Sequence, residues 1–288
     1  MNSVTFCETQ SGIEKSLPEK IKREYGLIFP KDYQCAQGIE KLAKAKRTAQ
    51  NDIFCRPPLG HTVEAEAFGG IVKYNGEMDP YISEYPFRSL HEILHLPEAD
   101  FTTGRISEGL HACRQLKANG FPVLLEVSGP FTILSGLLPS EILLRAVRKE
   151  PELFCRVWKR LSGFLLQYFG KIAECRIDAI SYADPMTGAD ILGPKCAAQL
   201  TETLIYPFLK QAEAQMEREV LILLCPKISF SLVETGKAVF REKSFGNPVS
   251  YGEACLKSVG EIQFAGEVCS KKDRVLLKNG TMKEVKLL

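Results

Sequence analysis

Apolar positions along the chain fall into two alternating rhythms. Short, nearly continuous apolar runs occur at Asp52–Cys55 (DIFC), Val123–Val127 (VLLEV), Ala179–Tyr182 (AISY), Val220–Leu224 (VLILL), Ala238–Phe240 (AVF) and Ile262–Ala265 (IQFA). They are β-branched in part, as expected of strands covered on both faces. The stretches between them carry helical period. Pro151–Glu174 puts Leu153, Val157, Leu161, Phe164, Leu165, Tyr168 and Ile172 on one face, with Pro151 where a first-turn proline belongs. Arg105–Asn119 repeats the pattern with Ile106, Leu110 and Cys113, and Gly120 follows as a C-terminal cap. Cys196–Gln215 does so again with Pro207 inside it, which predicts a kink or break. Ile13–Tyr25 and Ala36–Ala49 have only a thin apolar stripe and predict peripheral helices.

Strands alternating with helices indicate βαβ units and a parallel sheet. An open doubly wound sheet would be marked by a GxGxxG turn after a strand, and none is present. Polar loops directly follow several runs instead: Arg56-Pro57-Pro58, Ser128-Gly129-Pro130-Phe131-Thr132, Asp184-Pro185 and Cys225-Pro226-Lys227. Chemistry at strand C-termini is the habit of closed barrels. The expected fold is therefore α/β, a TIM-type (β/α)8-like barrel over 51–288, with a helical N-terminal extension over 1–50. Six runs stand where a full barrel has eight strands, so the barrel is expected to be incomplete at its C-terminal end.

Composition narrows the class of partner. The 288 residues carry 37 basic and 35 acidic side chains, a net charge of +2, without a basic stripe, which argues against nucleic acid. The ten cysteines are scattered singly with no CxxC pair. A chain of this size builds a core without disulfides, so reduced thiols and a cytoplasmic location are expected. The most apolar stretch, Phe121–Leu144, is broken by Glu126, Gly129, Pro130 and Pro139, so no membrane association is expected.

Three runs then carry a resemblance: HTVEAEAFGG (His61–Gly70), LLEVSGPFTILSGLL (Leu124–Leu138) and DAISYADPMTGADILGP (Asp178–Pro194). Together they resemble the uroporphyrinogen decarboxylase superfamily, and within it the cobalamin-dependent methyltransferases that act with methylcobalamin and coenzyme M. The resemblance extends over roughly residues 50 to 285. The decarboxylases of that superfamily rely on an aspartate after an early strand, for which Asp52 stands in the matching place. They also use an Arg-rich N-terminal motif that this sequence lacks, and Gly136 occupies the position of their helix tyrosine. The tetrapyrrole-decarboxylase reading therefore stands behind the methyltransferase one.

The resemblance implies a zinc-bound thiolate chemistry, with metal held by a His-x-Cys at a strand end and a distant cysteine. Here the first motif reads Leu223-Leu224-Cys225, keeping the cysteine and not the histidine; the distant cysteine lies in a final strand that the run KNGTMKEVKLL is expected to lack, so Cys225 and Cys269, with His61 beside them, are the metal candidates. The expected catalytic residues are Cys225, Asp184, His61 and Glu64, and those expected to contact a cofactor are Arg56, Ser128 and Thr132. The implied activity is methyl transfer between a methylated corrinoid and a thiol or other small donor or acceptor. The corrinoid would come from a partner protein or as free cobalamin, and a homodimer is one way to complete the barrel. The alternative is a barrel that has lost its zinc site and binds a corrinoid or a partner without catalysis. His91-Glu92-Ile93-Leu94-His95 also matches the zinc-protease pattern HExxH, with no third ligand following. Glu66 alternates with Glu64, and Trp158 with its neighbouring aromatics reads as core.

Overall fold

The structure, a computed structural model, describes residues 16–288, so Cys7 and positions 13–15 of the first expected helix lie outside the described residues. Strands β1 (Ile71–Lys73) and β2 (Tyr81–Glu84) form an antiparallel pair of their own. The main sheet contains β3 (Leu124–Ser128), β4 (Ala179–Ala183), β5 (Leu221–Leu224), β6 (Ala238–Ser244), β8 (Phe264–Ala265) and β10 (Thr281–Leu287). Its order is β3-β4-β5-β8-β10-β6, and β7 (Val249–Ser250) with β9 (Leu276–Leu277) makes a third small sheet. Strands β3, β4, β5 and β8 are mutually parallel, whereas β10 runs antiparallel to both β8 and β6. The fold is α/β and TIM-barrel-like, with helices over a central parallel sheet. No described helix is long and apolar enough to cross a membrane.

The period-2 alternation of the strands sorts the core into two clusters. Leu125, Val127, Ile180, Tyr182, Ile222 and Leu224 face the helices, where Trp158, Leu161, Leu165, Phe169 and Phe208 meet them. Leu124, Ala179, Leu221, Leu223 and Ala265 line the other face with Ile53, Phe54, Tyr251 and Met282. That second face is the barrel interior. By the same alternation Glu126 and Ser128 share it with Leu124, which places two polar side chains toward the C-terminal end of β3.

Several elements differ from what the pattern predicts. The DIFC run is not a ladder strand: Cys55 alone pairs with Val123, as an isolated parallel bridge. The amides of Ile53 and Phe54 donate instead to the Asp273 carboxylate, at 3.0 and 3.4 Å, and Pro57 and Pro58 supply no further donors. The AVF run extends to Ser244 but is an antiparallel, largely solvent-facing strand, because its partner is the alternating MKEVKL of β10. The expectation that KNGTMKEVKLL lacks a strand is thus corrected: the Asn279-Gly280 corner, with Gly280 at φ +60°, starts β10. Helix Ala36–Gln50 has a buried face rather than a peripheral place. Its stripe is made of Ile39, Leu42 and small residues such as Ala43 and Ala45, which count for little in a hydropathy reading. The expected break at Pro207 takes the form of a π-helical turn, Thr201–Ile205, that widens the helix just before the proline. The other two helices fall at Gly104–Ala118 and Pro151–Ala173, close to their predicted bounds.

Hydrogen-bonded strands alone do not close the barrel wall among the described residues. The segment before β3 is tied to the chain after β8 by side chains. Asp273, 2 % exposed, accepts from Ile53, Phe54 and the Arg56 guanidinium, the last at 2.9 Å. Arg56 also donates to the Ser270 carbonyl at 2.7 Å, and Arg274 donates to Asn51. Replacing Asp273 by Ala leaves Arg56 and two amides without their acceptor. A loss of about 3 kcal/mol is expected, the lower end of the range for breaking a buried charge pair because Arg56 keeps a second partner. Urea unfolding measures it, and an unchanged midpoint would mean that other contacts hold this segment.

Candidate functional site

Two successive residues with left-handed backbone, Gly60 (φ +69°) and His61 (φ +52°), make the turn after the first segment. A Cβ at Gly60 would stand 2.7 Å from the Pro80 carbonyl, so the close approach of the β2 side of the hairpin requires glycine. Histidine in this conformation is uncommon and strained, and the surroundings hold it there. Arg105, 5 % exposed, donates to the Leu59 carbonyl at 2.8 Å and to Thr62 Oγ1 at 2.5 Å, so one guanidinium grips the turn on both sides. Its Nε pairs with Glu66 at 2.7 Å, and Glu66 accepts in turn from the Tyr74 hydroxyl at 3.2 Å.

The turn presents the imidazole to β3. His61 Nε2 lies 3.3 Å from Glu126 Oε2, and His61 Nδ1 lies 3.4 Å from the Ser128 hydroxyl. Burial would raise the Glu126 carboxyl, but His61, Lys271 and Arg56 outweigh it and hold the group below the usual carboxylate range. Behind Ser128 stands Glu64, fully buried on the short helix Val63–Ala67, with Oε1 accepting the Ser128 amide at 3.0 Å. Burial pushes the Glu64 carboxyl up, against the bonds it accepts from Ser128. Two carboxyl groups with opposite displacements thus flank one histidine and one serine. Environments that push paired titratable groups apart are the usual arrangement for acid–base work.

His61 and Glu126 form part of the wall of a cavity of about 240 Å³. Arg47, Asp52, Phe54, Arg56, Asp79 and Lys271 also line it. Asp52 is raised by burial and by Asp273, with Arg56 opposing. The cavity wall therefore carries both signs of charge beside a titratable pair, which suits a small polar ligand.

Other expected site residues are placed elsewhere. Asp184 is fully buried at the end of β4, accepting from the amides of Phe131 and Thr132 at 3.0 and 2.8 Å and from the Thr132 hydroxyl at 2.8 Å. It caps the helix Pro130–Ser135 from a different loop, and any Cβ at Gly129 would lie 2.5 Å from it. Thr132 is engaged in that cap, and Ser128 is fully buried behind His61; of the three residues expected to contact a cofactor, Arg56 lines the cavity. Leu223 belongs to the interior core, whereas Cys225 packs against the helix-side cluster and starts the helix Pro226–Glu234. Cys269 precedes the 3-10 turn Ser270–Lys272. Among the described residues no group of three or more His, Cys, Asp or Glu side chains is gathered as a metal site requires. His91 is exposed on the five-residue helix Leu90–Leu94 and His95 is exposed just beyond its end, and Glu92 caps that helix through Arg88 and Ser89.

Glu126, Arg105, Lys271, Arg47 and Asp79 are members of the site that pattern reading missed. Glu126 carried a signal, a lone carboxylate inside the apolar run VLLEV. Arg105 carried none, since its loop partners lie more than forty residues away in sequence.

Three comparisons bear on this geometry. The sequence profile of the family described as uroporphyrinogen decarboxylase (URO-D) matches residues 47–247. A methylcobamide:CoM methyltransferase, MtbA, of Methanosarcina mazei is 24% identical over 232 residues, covering 76% of this chain and 63% of the relative. The chain thus spans less than two thirds of that protein's length. MtaA, a methylcobamide:CoM methyltransferase of Methanosarcina barkeri, is 21% identical over 266 residues, covering 91% of this chain and 76% of the relative. A solved methyltransferase from Methanosarcina mazei superposes with a TM-score of 0.64 at 19% identity, over 75% of this chain and 65% of that one.

The cap gives a pH test. Burial pushes the Asp184 carboxyl from 3.8 up to about 6, against the bonds from Phe131 and Thr132. A raised folded-state value means that the folded protein binds this proton more tightly than the unfolded chain. The associated stability is complete below 3.8 and is lost as pH rises through about 6. The stability of wild type relative to Asp184→Asn should therefore increase from pH 7 to pH 4, by up to about 3 kcal/mol. Denaturant unfolding of both proteins across that range checks it, and a difference independent of pH would refute it.

Proposed function

The chain belongs to the uroporphyrinogen decarboxylase family, and we propose that it moves a methyl group between a corrinoid and a small thiol or other acceptor held at the barrel mouth. The observation that carries this reading is the His61–Glu126 pair on the wall of the charged cavity. The names of the curated relatives specify methylcobamide and CoM, a methylated corrinoid on one side and a small molecule on the other. A cavity of about 240 Å³ holds a small acceptor and is too small for a corrin ring. The corrinoid is therefore presented from outside, by a partner protein or as free cobalamin.

A methylated corrinoid supplies an electrophilic methyl group. This chain has to bind the acceptor and take its proton. The His61 imidazole is the group suited to receive it, because the ionised Glu126 beside it stabilises the resulting imidazolium. Arg56 and Lys271 keep Glu126 ionised, so that it orients the imidazole without competing for the proton. Asp52 and Arg47 are placed to hold the charged ends of a small ligand.

The donor set does not fit the zinc site that the resemblance implies. Leu223 stands where the ligand histidine would be, in the apolar interior, and Cys225 packs on the opposite side of the sheet. No step is therefore assigned to a metal. That same mismatch favours the second reading, a barrel that binds a corrinoid or its carrier without transferring the methyl group.

The test is demethylation of methylcobalamin with a panel of small thiols, followed by absorbance, for wild type and His61→Gln. A thiol-dependent reaction slowed about 100-fold in the variant is expected, the usual contribution of a general base. Binding of methylcobalamin with no transfer to any thiol would favour the second reading. Elemental mass spectrometry of wild type and Cys225→Ser goes beside it. Stoichiometric zinc lost in the variant would overturn the histidine-base scheme.

A further inference from the structure

Most charged groups on the cavity wall already have a partner of opposite sign. Lys46 pairs with Asp79 at 2.6 Å, Arg56 with Asp273 at 2.9 Å, and His61 lies 3.3 Å from Glu126, on which Lys271 also acts. Two lining groups stand outside this pairing. Asp52, half-buried just beyond the helix Ala36–Gln50, accepts no hydrogen bond and joins no ion pair among the described residues. Arg47, in the last turn of that helix, donates from Nε to the Ile53 carbonyl at 3.0 Å, and its two terminal nitrogens donate to nothing among the described residues. Charged groups drawn partly out of water without a partner cost stability, and a ligand that pairs with them recovers it.

Arg47 is near enough to pull on the Asp52 carboxyl, yet the two are not joined as an ion pair. A space flanked by opposite charges that do not meet fits a molecule carrying both signs. A thiol with only an anionic end would satisfy Arg47 and set its own charge against Asp52, and one with only a cationic end would do the reverse. An α-amino acid brings an ammonium with three donors and a carboxylate that a guanidinium binds in bidentate fashion. Phe54, Pro57 and Pro58 line the same cavity and supply apolar surface for methylenes.

We propose that the cavity selects a zwitterionic amino-acid thiol, with its ammonium on Asp52 and its carboxylate on Arg47, an inference that rests on the reading of this cavity as the acceptor site. The thiol end is left for the His61 side of the wall. An ammonium also gives Asp52 what the free cavity withholds: burial raises that carboxyl, and a cation against it favours the ionised form. Selection follows from the group left unpaired whenever one end of the ligand is missing.

The test is isothermal titration calorimetry of the full chain without corrinoid. The probes are L-cysteine and L-homocysteine, mercaptopropionate, which lacks the amine, and cysteamine, which lacks the carboxylate. The tighter of the two amino acids should bind about 10- to 100-fold more strongly than either truncated thiol, the worth of one hydrogen-bonded charge. Asp52→Asn should bring the amino acid down to the level of mercaptopropionate, and Arg47→Gln should bring it down to that of cysteamine. Asp52 holds no other group, so its amide isostere leaves the fold intact, and the probe series on wild type decides the selectivity without any variant. A truncated thiol that binds as tightly as both amino acids, selectivity retained in Asp52→Asn, or no binding of either amino acid overturns the assignment. Methyl transfer from methylcobalamin, measured beside it, separates the two readings. Transfer to mercaptopropionate with no binding of the amino acids would sink the zwitterion site and keep the function. Selective binding of an amino-acid thiol with no transfer to it would keep the site and sink the function.

Discussion

The barrel depends on a carboxylate where a continuous sheet would have a strand. Asp273 binds two backbone amides of the first segment and one guanidinium, so a side chain from the chain after β8 performs the pairing that a parallel neighbour would otherwise supply. This sets the position of everything that follows the segment. Arg56 is held at the cavity wall by its bonds to Asp273 and Ser270. The next few residues, Pro57 to His61, must then turn back toward β3, which they do through two left-handed positions. The geometry of the site follows from how the first segment is anchored.

Three buried or half-buried carboxylates near the ends of β3 and β4 show how environment divides one chemical group among different tasks. Asp184 accepts three hydrogen bonds and caps a helix, so its ionised form is well served even though burial raises it. Glu126 meets several cationic groups and stays ionised. Glu64 accepts the Ser128 amide on one oxygen and has the other without a partner, so neutrality suits it best. The difference lies in the number of donors and cations within reach, since all three are drawn away from water.

The alternating apolar runs made the parallel core legible, because strands covered on both faces must be apolar throughout. β3, β4, β5 and β8 were all visible for that reason. β10 was harder to read, since its half-exposed face interleaves Lys and Glu with Met282, Val285 and Leu287. The first segment looked like a strand because it is buried, while its hydrogen bonds go to a side chain more than two hundred residues away. Of the candidate site, His61 and Glu64 could be picked out from the loop position and the motif run. Arg105 could not, because its function is to hold carbonyl and hydroxyl oxygens, and no local pattern records which arginine will do so.

The placement of polar groups on the interior face bears on how this barrel departs from a zinc-thiolate design. Such a design puts its ligands at the end of a strand equivalent to β5, where this chain has Leu221 and Leu223 in an apolar interior. Introducing a metal there would require histidine in that core and a reorientation of Cys225 away from the helices. On β3 the situation is reversed. Glu126 and Ser128 occupy alternate positions of the same face, so the strand's own period delivers a polar partner to each nitrogen of one imidazole. Arg105 and Gly60 make the strained turn that brings that imidazole into register. Among the described residues the interior of this barrel is thus polar on the side of β3 and apolar on the side of β5.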